Sequence, residues 1–310
     1  MCATCGCSDG ARPRLTTVGE GGEQNTRDLR ATPSQEPDAT QIPVHGHHHV
    51  LSAEHAHGQE KEAQGNDTHH HHQHEHDPIG LGSHILSLEA RVLEKNDRLA
   101  ERNRAWLAGR GVLALNLMSS PGAGKTTLLE RTLEDLSAEF PMAVVEGDQE
   151  TTYDAERISK VCVPVVQINT GQGCHLEADM VAQGLQQLNP KTGSVVFIEN
   201  VGNLVCPALF DLGEAAKIVI LSVTEGEDKP RKYPHMFHGA DLVLINKVDL
   251  LPHIRFDLDR CLKYLKEIAH HADILQISSS SGQGLPEWYD WLRDRRQHLE
   301  SSNWDVVEKH

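Results

Sequence analysis

The sequence predicts an α/β fold, a doubly wound and mostly parallel sheet preceded by a disordered, histidine-rich tail, and three observations predict it. Apolar runs of strand length recur at residues 112–118, 142–145, 165–168, 195–198, 218–223, 242–245 and 274–277. Helical patterns lie between most of them, at residues 126–137, 176–188 and 256–269, with a last one at about 286–299; such alternation builds a parallel sheet with ligands at the carboxyl ends of its strands. By contrast, residues 8 to about 80 have almost no aliphatic periodicity and are rich in Gly, Pro, Gln, Glu, Asp and His, so they bury too little apolar surface to offset ordering entropy. The expected organisation is a cysteine motif at 1–10, a disordered linker at 11–83 and a folded domain at 84–310.

Composition narrows the partners. A formal net charge of −16 argues against nucleic acid, which needs clustered Lys and Arg to displace counterions, and suits metal cations. The chain has no apolar run of membrane-spanning length and no hydrophobic stretch in its first ten residues, so membrane insertion and secretion are not expected and the cytoplasm is. Seven cysteines, three of them at Cys2, Cys5 and Cys7, fit metal ligation in a reducing compartment better than a disulfide framework.

Taken in order, Cys2, Cys5 and Cys7 offer three thiolates within one short stretch, and removal of Met1 would free an amine beside them. A planar set of one nitrogen and three sulfurs suits Ni²⁺, whereas a tetrahedral arrangement suits Zn²⁺. Residues 45–76 hold twelve of the 21 histidines, a density that reads as weak, exchanging metal sites for storage. Ile85, Leu88, Val92, Leu99 and Trp106 then form one stripe of a helix over 84–106, ended by Gly109 and Gly111.

Directly after the first strand run comes Ser119-Ser120-Pro121-Gly122-Ala123-Gly124-Lys125-Thr126-Thr127, then a helix. This is a phosphate-binding loop in its required context. Ser120 and the residues from Gly122 to Thr127 turn backbone N–H groups on phosphate oxygens, Lys125 reaches the β and γ phosphates, and the Thr126 hydroxyl coordinates Mg²⁺. The first glycine of the usual motif is replaced by Ser119. Asp148 and Glu199 stand at strand ends, where a carboxylate can bind Mg²⁺ or orient the attacking water, and Asp154 is a fainter candidate. Glu199-Asn200-Val201-Gly202 occupies the place of a D-x-x-G switch.

Asn246-Lys247-Val248-Asp249 matches N-K-x-D, whose aspartate accepts hydrogen bonds from guanine N1 and N2, donors that adenine lacks. Ser278 and Ser279 follow the last strand, where a backbone N–H can meet guanine O6. A second metal cluster is expected from Cys174, His175 and Cys206, brought together by neighbouring strands. Its distance of a few residues from Glu199 and Gly202 would couple it to the nucleotide by about 1–3 kcal/mol. Cys162 and Cys261 read as core.

The motif at Cys2, Cys5 and Cys7, the histidine tract, the phosphate loop, Gly173-Cys174-His175, Glu199 to Pro207, Glu225 to Pro230 and Asn246 to Asp249 together closely resemble the HypB family of hydrogenase nickel-incorporation GTPases. The resemblance implies a P-loop NTPase of the SIMIBI G-domain type that hydrolyses GTP to GDP and delivers Ni²⁺ to [NiFe]-hydrogenase. It further implies a GTP-dependent homodimer and three partners: a HypA-type zinc protein, a SlyD-type peptidyl-prolyl isomerase and the hydrogenase large subunit. Carried over by position, Cys2, Cys5 and Cys7 would be the tight nickel ligands, and Cys174, His175 and Cys206 a site for Zn²⁺ or Ni²⁺. Ser120 departs from the signature lysine of nitrogenase-iron-protein-like ATPases. Urease accessory GTPases resemble the chain less, since they carry Cys-Pro-His where Cys174 here precedes His175 directly. A passive metal store is opposed by the intact Lys125, Thr126, Asn246 and Asp249.

Overall fold

The computed structural model describes residues 13–18, 24–29, 78–149, 153–161 and 163–307. Nine strands among them form one sheet in the order β2-β1-β5-β4-β6-β3-β7-β8-β9. Seven are parallel: β3 (Leu113–Ser119), β4 (Met142–Asp148), β5 (Val165–Asn169), β6 (Val195–Glu199), β7 (Ala216–Ser222), β8 (Leu242–Asn246) and β9 (Asp273–Gln276). Central strands β3, β6 and β8 are buried at every position, which is why their sequences are continuous apolar runs and not alternations.

Helices cover both faces. Leu113, Leu115 and Leu117 of β3 point into one core with Leu128, Leu129 and Leu133 of α2 (Lys125–Leu136) and Trp288 of α9 (Leu285–Val307). Trp288 is buried and still satisfied, since its Nε1 donates to Thr132 Oγ1 at 2.9 Å. Ala114 points the other way, toward Leu107 of α1 (Pro78–Gly109) and Val181 and Leu185 of α4 (Ala178–Leu188). Beside them, β7 and β8 pack on α7 (Pro234–His238) and α8 (Leu258–Ile268) through Val219, Val243, Phe237 and Leu265. Two buried asparagines fix α1: Asn96 accepts from Ala178 N at 2.9 Å, and Asn103 donates to Ala178 O at 2.8 Å and Leu212 O at 3.0 Å.

The doubly wound, mostly parallel sheet is as expected, with two differences. Residues 11–83 are not wholly without structure: β1 (Arg14–Val18) and β2 (Gln24–Asp28) form an antiparallel hairpin, and β1 adds antiparallel to β5. This strand reads Arg-Leu-Thr-Thr-Val, with no apolar run, but Leu15 is buried and Thr16 Oγ1 lies 2.8 Å from Thr26 Oγ1; edge pairing needs no longer apolar run. The helix expected from 84 begins at Pro78, also inside the expected linker. As expected, β4 closes at Asp148; α3 (Tyr153–Ser159) follows it, and Glu146 lies inside the sheet. The cysteine motif, the twelve histidines of 45–76 and Cys162 lie outside the described residues. Within them, no helix is long and apolar enough to cross a membrane.

Candidate nucleotide site and cysteine–histidine cluster

Strand β3 ends at Ser119, the chain turns through Ser120 to Gly124, and α2 starts at Lys125. The turn needs glycine. Gly124 has φ of 100°, and a Cβ there would stand 2.6 Å from Asn246 Nδ2. No side chain caps α2, so its first N–H groups face a cavity of about 470 Å³ lined by the loop from Pro121 to Thr127 and by Asp148, Asp154, Arg157, Gly202 and Lys247. An open helix N-terminus of this kind is an anion site.

Beneath the loop, Thr126 Oγ1 donates to Glu199 Oε1 at 2.7 Å, while Glu199 Oε2 is buried without a partner. Burial raises the Glu199 pKa, opposed by Lys125 and by the Thr126 hydrogen bond. Glu146 sits opposite Glu199 in the β4–β6 register, and its Oε2 also has no partner. Burial, then the charge of Glu199, push Glu146 well above the ordinary carboxylate range. Two unsatisfied carboxyl oxygens beside a threonine hydroxyl form the oxygen set that a hard cation such as Mg²⁺ takes, so these residues fit that ion. Glu146 was not among the residues singled out from the sequence; its signal was the spacing Glu146-Gly147-Asp148, which puts both acids on one face of a strand.

Asp148 Oδ1 accepts from Gln149 N at 2.7 Å. Arg157 of α3 was also missed. Its guanidinium pairs with Glu130, through Nε at 3.0 Å and through Nη2, and with Asp154 at 3.3 Å, at the rim of the same cavity. The sequence signal was an i, i+3 Asp–Arg pair on a helix too short to stand out.

At the base end, Asn246 is a strut. Its Nδ2 donates to Ala123 O at 3.0 Å, and its Oδ1 accepts from Lys247 N at 2.8 Å, Ser279 N at 3.2 Å and Ser279 Oγ at 3.1 Å. Lys247, with φ of 63°, donates Nζ to Gly122 O at 2.7 Å. Asp249 lies on the 3₁₀ turn Val248–His253, half-buried. The expected O6 donors are otherwise engaged: Ser278 N donates to Gln283 O at 2.8 Å, and Ser279 N to Asn246.

Cys174, His175 and Cys206 do converge, with ligand atoms all within 4.8 Å of one another. The sulfurs are 2.9 Å apart, beyond a disulfide bond of about 2.05 Å, and Cys174 Sγ is 3.6 Å from His175 Nδ1. His175 stacks on Phe210 with centroids 3.9 Å apart, and its buried Nε2 has no partner. Burial lowers its pKa to about 4, which keeps the imidazole neutral near pH 7, the form that ligates metals.

The reason for this convergence differs from the expected one. Strands β5 and β6 are not neighbours, because β4 lies between them. The loop after β5 instead folds across the end of β4 at Gly147, where a Cβ would stand 2.8 Å from Leu176. Asn200 Oδ1 then accepts from Leu176 N at 3.1 Å, and Asn203 Nδ2 donates to Cys174 O at 3.4 Å. Cys206 opens the one-turn helix α5 (Cys206–Leu209). Residues 199–206 therefore run from the phosphate end, where Gly202 lies against Pro121 with no room for an unstrained Cβ, to the sulfurs.

A family profile described as the CobW/HypB/UreG nucleotide-binding domain matches residues 113–276. The hydrogenase maturation factor HypB of Escherichia coli K12 is 46% identical over 297 residues, covering 96% of this chain and 99% of that protein. That of Azotobacter vinelandii is 55% identical over 214 residues, 69% of this chain and 71% of its own length. Among solved structures, HypB of Helicobacter pylori in complex with nickel superposes with a TM-score of 0.62 at 40% identity, covering 66% of this chain and 96% of that one.

Proposed function

The chain belongs to the HypB family of hydrogenase maturation factors, and from that premise we propose that it is a GTP-hydrolysing nickel metallochaperone. One observation carries the reading: the segment from Glu199 to Cys206 closes the phosphate cavity at one end and supplies a sulfur to the metal cluster at the other.

Ser120, Gly122, Ala123, Gly124 and Thr127 wrap the phosphates, and Lys125 neutralises the charge that develops on the γ phosphate. Thr126 and Glu199 would hold Mg²⁺, whose charge would screen the phosphate oxygens, and Asp148 would orient the attacking water. Asp249 accepts from guanine N1 and N2. Asn246 holds the base loop to the phosphate loop, Lys247 covers the ring, and the exposed Ser280, not Ser278 or Ser279, offers the N–H for O6. Nickel is cargo, bound by Cys2, Cys5 and Cys7 and exchanged at Cys174, His175 and Cys206, where Zn²⁺ also fits; that the Helicobacter pylori relative was solved in complex with nickel supports the choice of ion. The histidine tract stores further ions.

Val205 and Leu209 are 50% and 53% exposed on either side of Cys206, apolar area suited to a GTP-dependent homodimer with the metal near its interface. Delivery to the hydrogenase large subunit, with a HypA-type zinc protein and a SlyD-type isomerase, takes place in the cytoplasm. The test compares Lys125→Ala with Cys174→Ala in the chain with Cys2, Cys5 and Cys7 replaced by Ala, so that sulfur-to-nickel absorption reports the cluster alone. Lys125→Ala loses GTP hydrolysis and keeps the sulfur-to-nickel absorption of the cluster, and Cys174→Ala loses that absorption and keeps GTP binding. Hydrolysis of ATP as fast as GTP, or no nickel signal in the wild type, overturns the reading.

A further inference from the structure

On the segments that flank β8, α7 ends in His238 and α8 is followed by His270 and His271. The three exposed imidazoles come together: ring centroids are 6.2 Å apart for His238 and His270, 6.0 Å for His238 and His271, and 5.3 Å for His270 and His271. With metal–nitrogen bonds of about 2 Å, two imidazoles on one tetrahedral ion have centroids about 5 Å apart. The observed spacings are thus one small ring movement away. His238 is also oriented as ligands are. Its Nδ1 lies 3.3 Å from Ile268 O, and donating the Nδ1 proton to a backbone carbonyl leaves the Nε2 lone pair for a metal.

The local field favours a cation, because His270 and His271 stand just beyond the carboxyl end of α8, where helix dipoles concentrate negative potential. All three rings are exposed, so core packing does not impose the grouping, and the bond to Ile268 O fixes only His238. The nitrogens are not yet converged: among the described residues only Cys174, His175 and Cys206 present ligand atoms already gathered at one point. Exposed histidines reach convergence by rotating χ1 and χ2, with no change in the core.

We propose that His238, His270 and His271 form a third, surface metal site, which takes a borderline divalent transition ion such as Ni²⁺, Cu²⁺ or Zn²⁺ through three neutral imidazoles and leaves the remaining positions to water. Such a ligand set prefers these ions to Mg²⁺ or Ca²⁺, which take oxygen. The site shares no ligand with Cys174, His175 and Cys206 or with Cys2, Cys5 and Cys7, and binds independently of them.

The test is site-resolved modification of the full chain by diethyl pyrocarbonate, read peptide by peptide by mass spectrometry, with and without Ni²⁺. Peptide resolution keeps the histidine tract from obscuring the result, and the exposed His253 is the internal control. Expected is loss of modification at His238, His270 and His271 together at one Ni²⁺ concentration, with His253 still reactive. In His238→Ala, His270 and His271 regain their reactivity in the presence of Ni²⁺. The proposal is overturned if the three stay as reactive as His253 when nickel is added, or if their protection survives His238→Ala. Nickel bound through cysteine, at either sulfur site, is read separately by its sulfur absorption, so failure of the histidine site and failure of the sulfur sites stay distinguishable.

Discussion

At the end of β8, Asn246 is buried and both polar atoms of its side chain are engaged, four hydrogen bonds in all, with Ala123, Lys247 and Ser279. In β4, at the end of β6 and in the loop after β5, Glu146 Oε2, Glu199 Oε2 and His175 Nε2 are buried with no partner. An unpaired buried polar atom costs about 1–3 kcal/mol, so the base end is a finished scaffold and the cation end carries a cost that ligands would relieve. The contrast teaches where to expect ligand-dependent stability: little from the base loops, much from the phosphate and sulfur ends.

The largest expected effect breaks the finished side. Asn246→Ala strands Lys247 N, Ser279 N and Ser279 Oγ, and a loss of about 3 kcal/mol is predicted in urea unfolding of the nucleotide-free protein. A loss no larger than that of an exposed substitution would show the strut to be dispensable.

Next in size is the unfinished side. Saturating Zn²⁺ at about 100 times its dissociation constant should stabilise the wild type by about 2.7 kcal/mol, seen as a rise in Tm, and Cys206→Ala should abolish the part contributed by the cluster. Equal stabilisation of both proteins would assign the effect to the cysteine motif and the histidines.

The smallest effect concerns Glu146, whose folded pKa lies above its unfolded one. The folded state therefore holds a proton that the unfolded state has lost, so stability falls as pH rises above the ordinary carboxylate range. Glu146→Gln should flatten that slope, raising the Tm of the nucleotide-free protein at about pH 8 and leaving it nearly unchanged at about pH 4. An unchanged slope would mean that Glu146 is ionised and paired.

Legibility from sequence followed the same division. The parallel strands and the phosphate loop were readable because buried strands are unbroken apolar runs and the loop's chemistry is local. The convergence of Cys174, His175 and Cys206 was also readable, but its cause was not, since strand order is non-local and β4 intervenes. Glu146 and Arg157 were missed because one stands in an apolar strand and the other on a seven-residue helix. The hairpin of β1 and β2 was missed because its pairing energy lies in the β5 edge and not in its own sequence.

The central claim is that phosphate chemistry reaches the sulfur cluster through residues 199–206. Its most direct test is Ni²⁺ titration of the chain with Cys2, Cys5 and Cys7 replaced by Ala, followed by sulfur-to-nickel absorption with GDP or with a non-hydrolysable GTP analogue bound. The account predicts affinities that differ about 5- to 150-fold between the two nucleotides, a difference erased by Lys125→Ala. Superimposable titrations would contradict it.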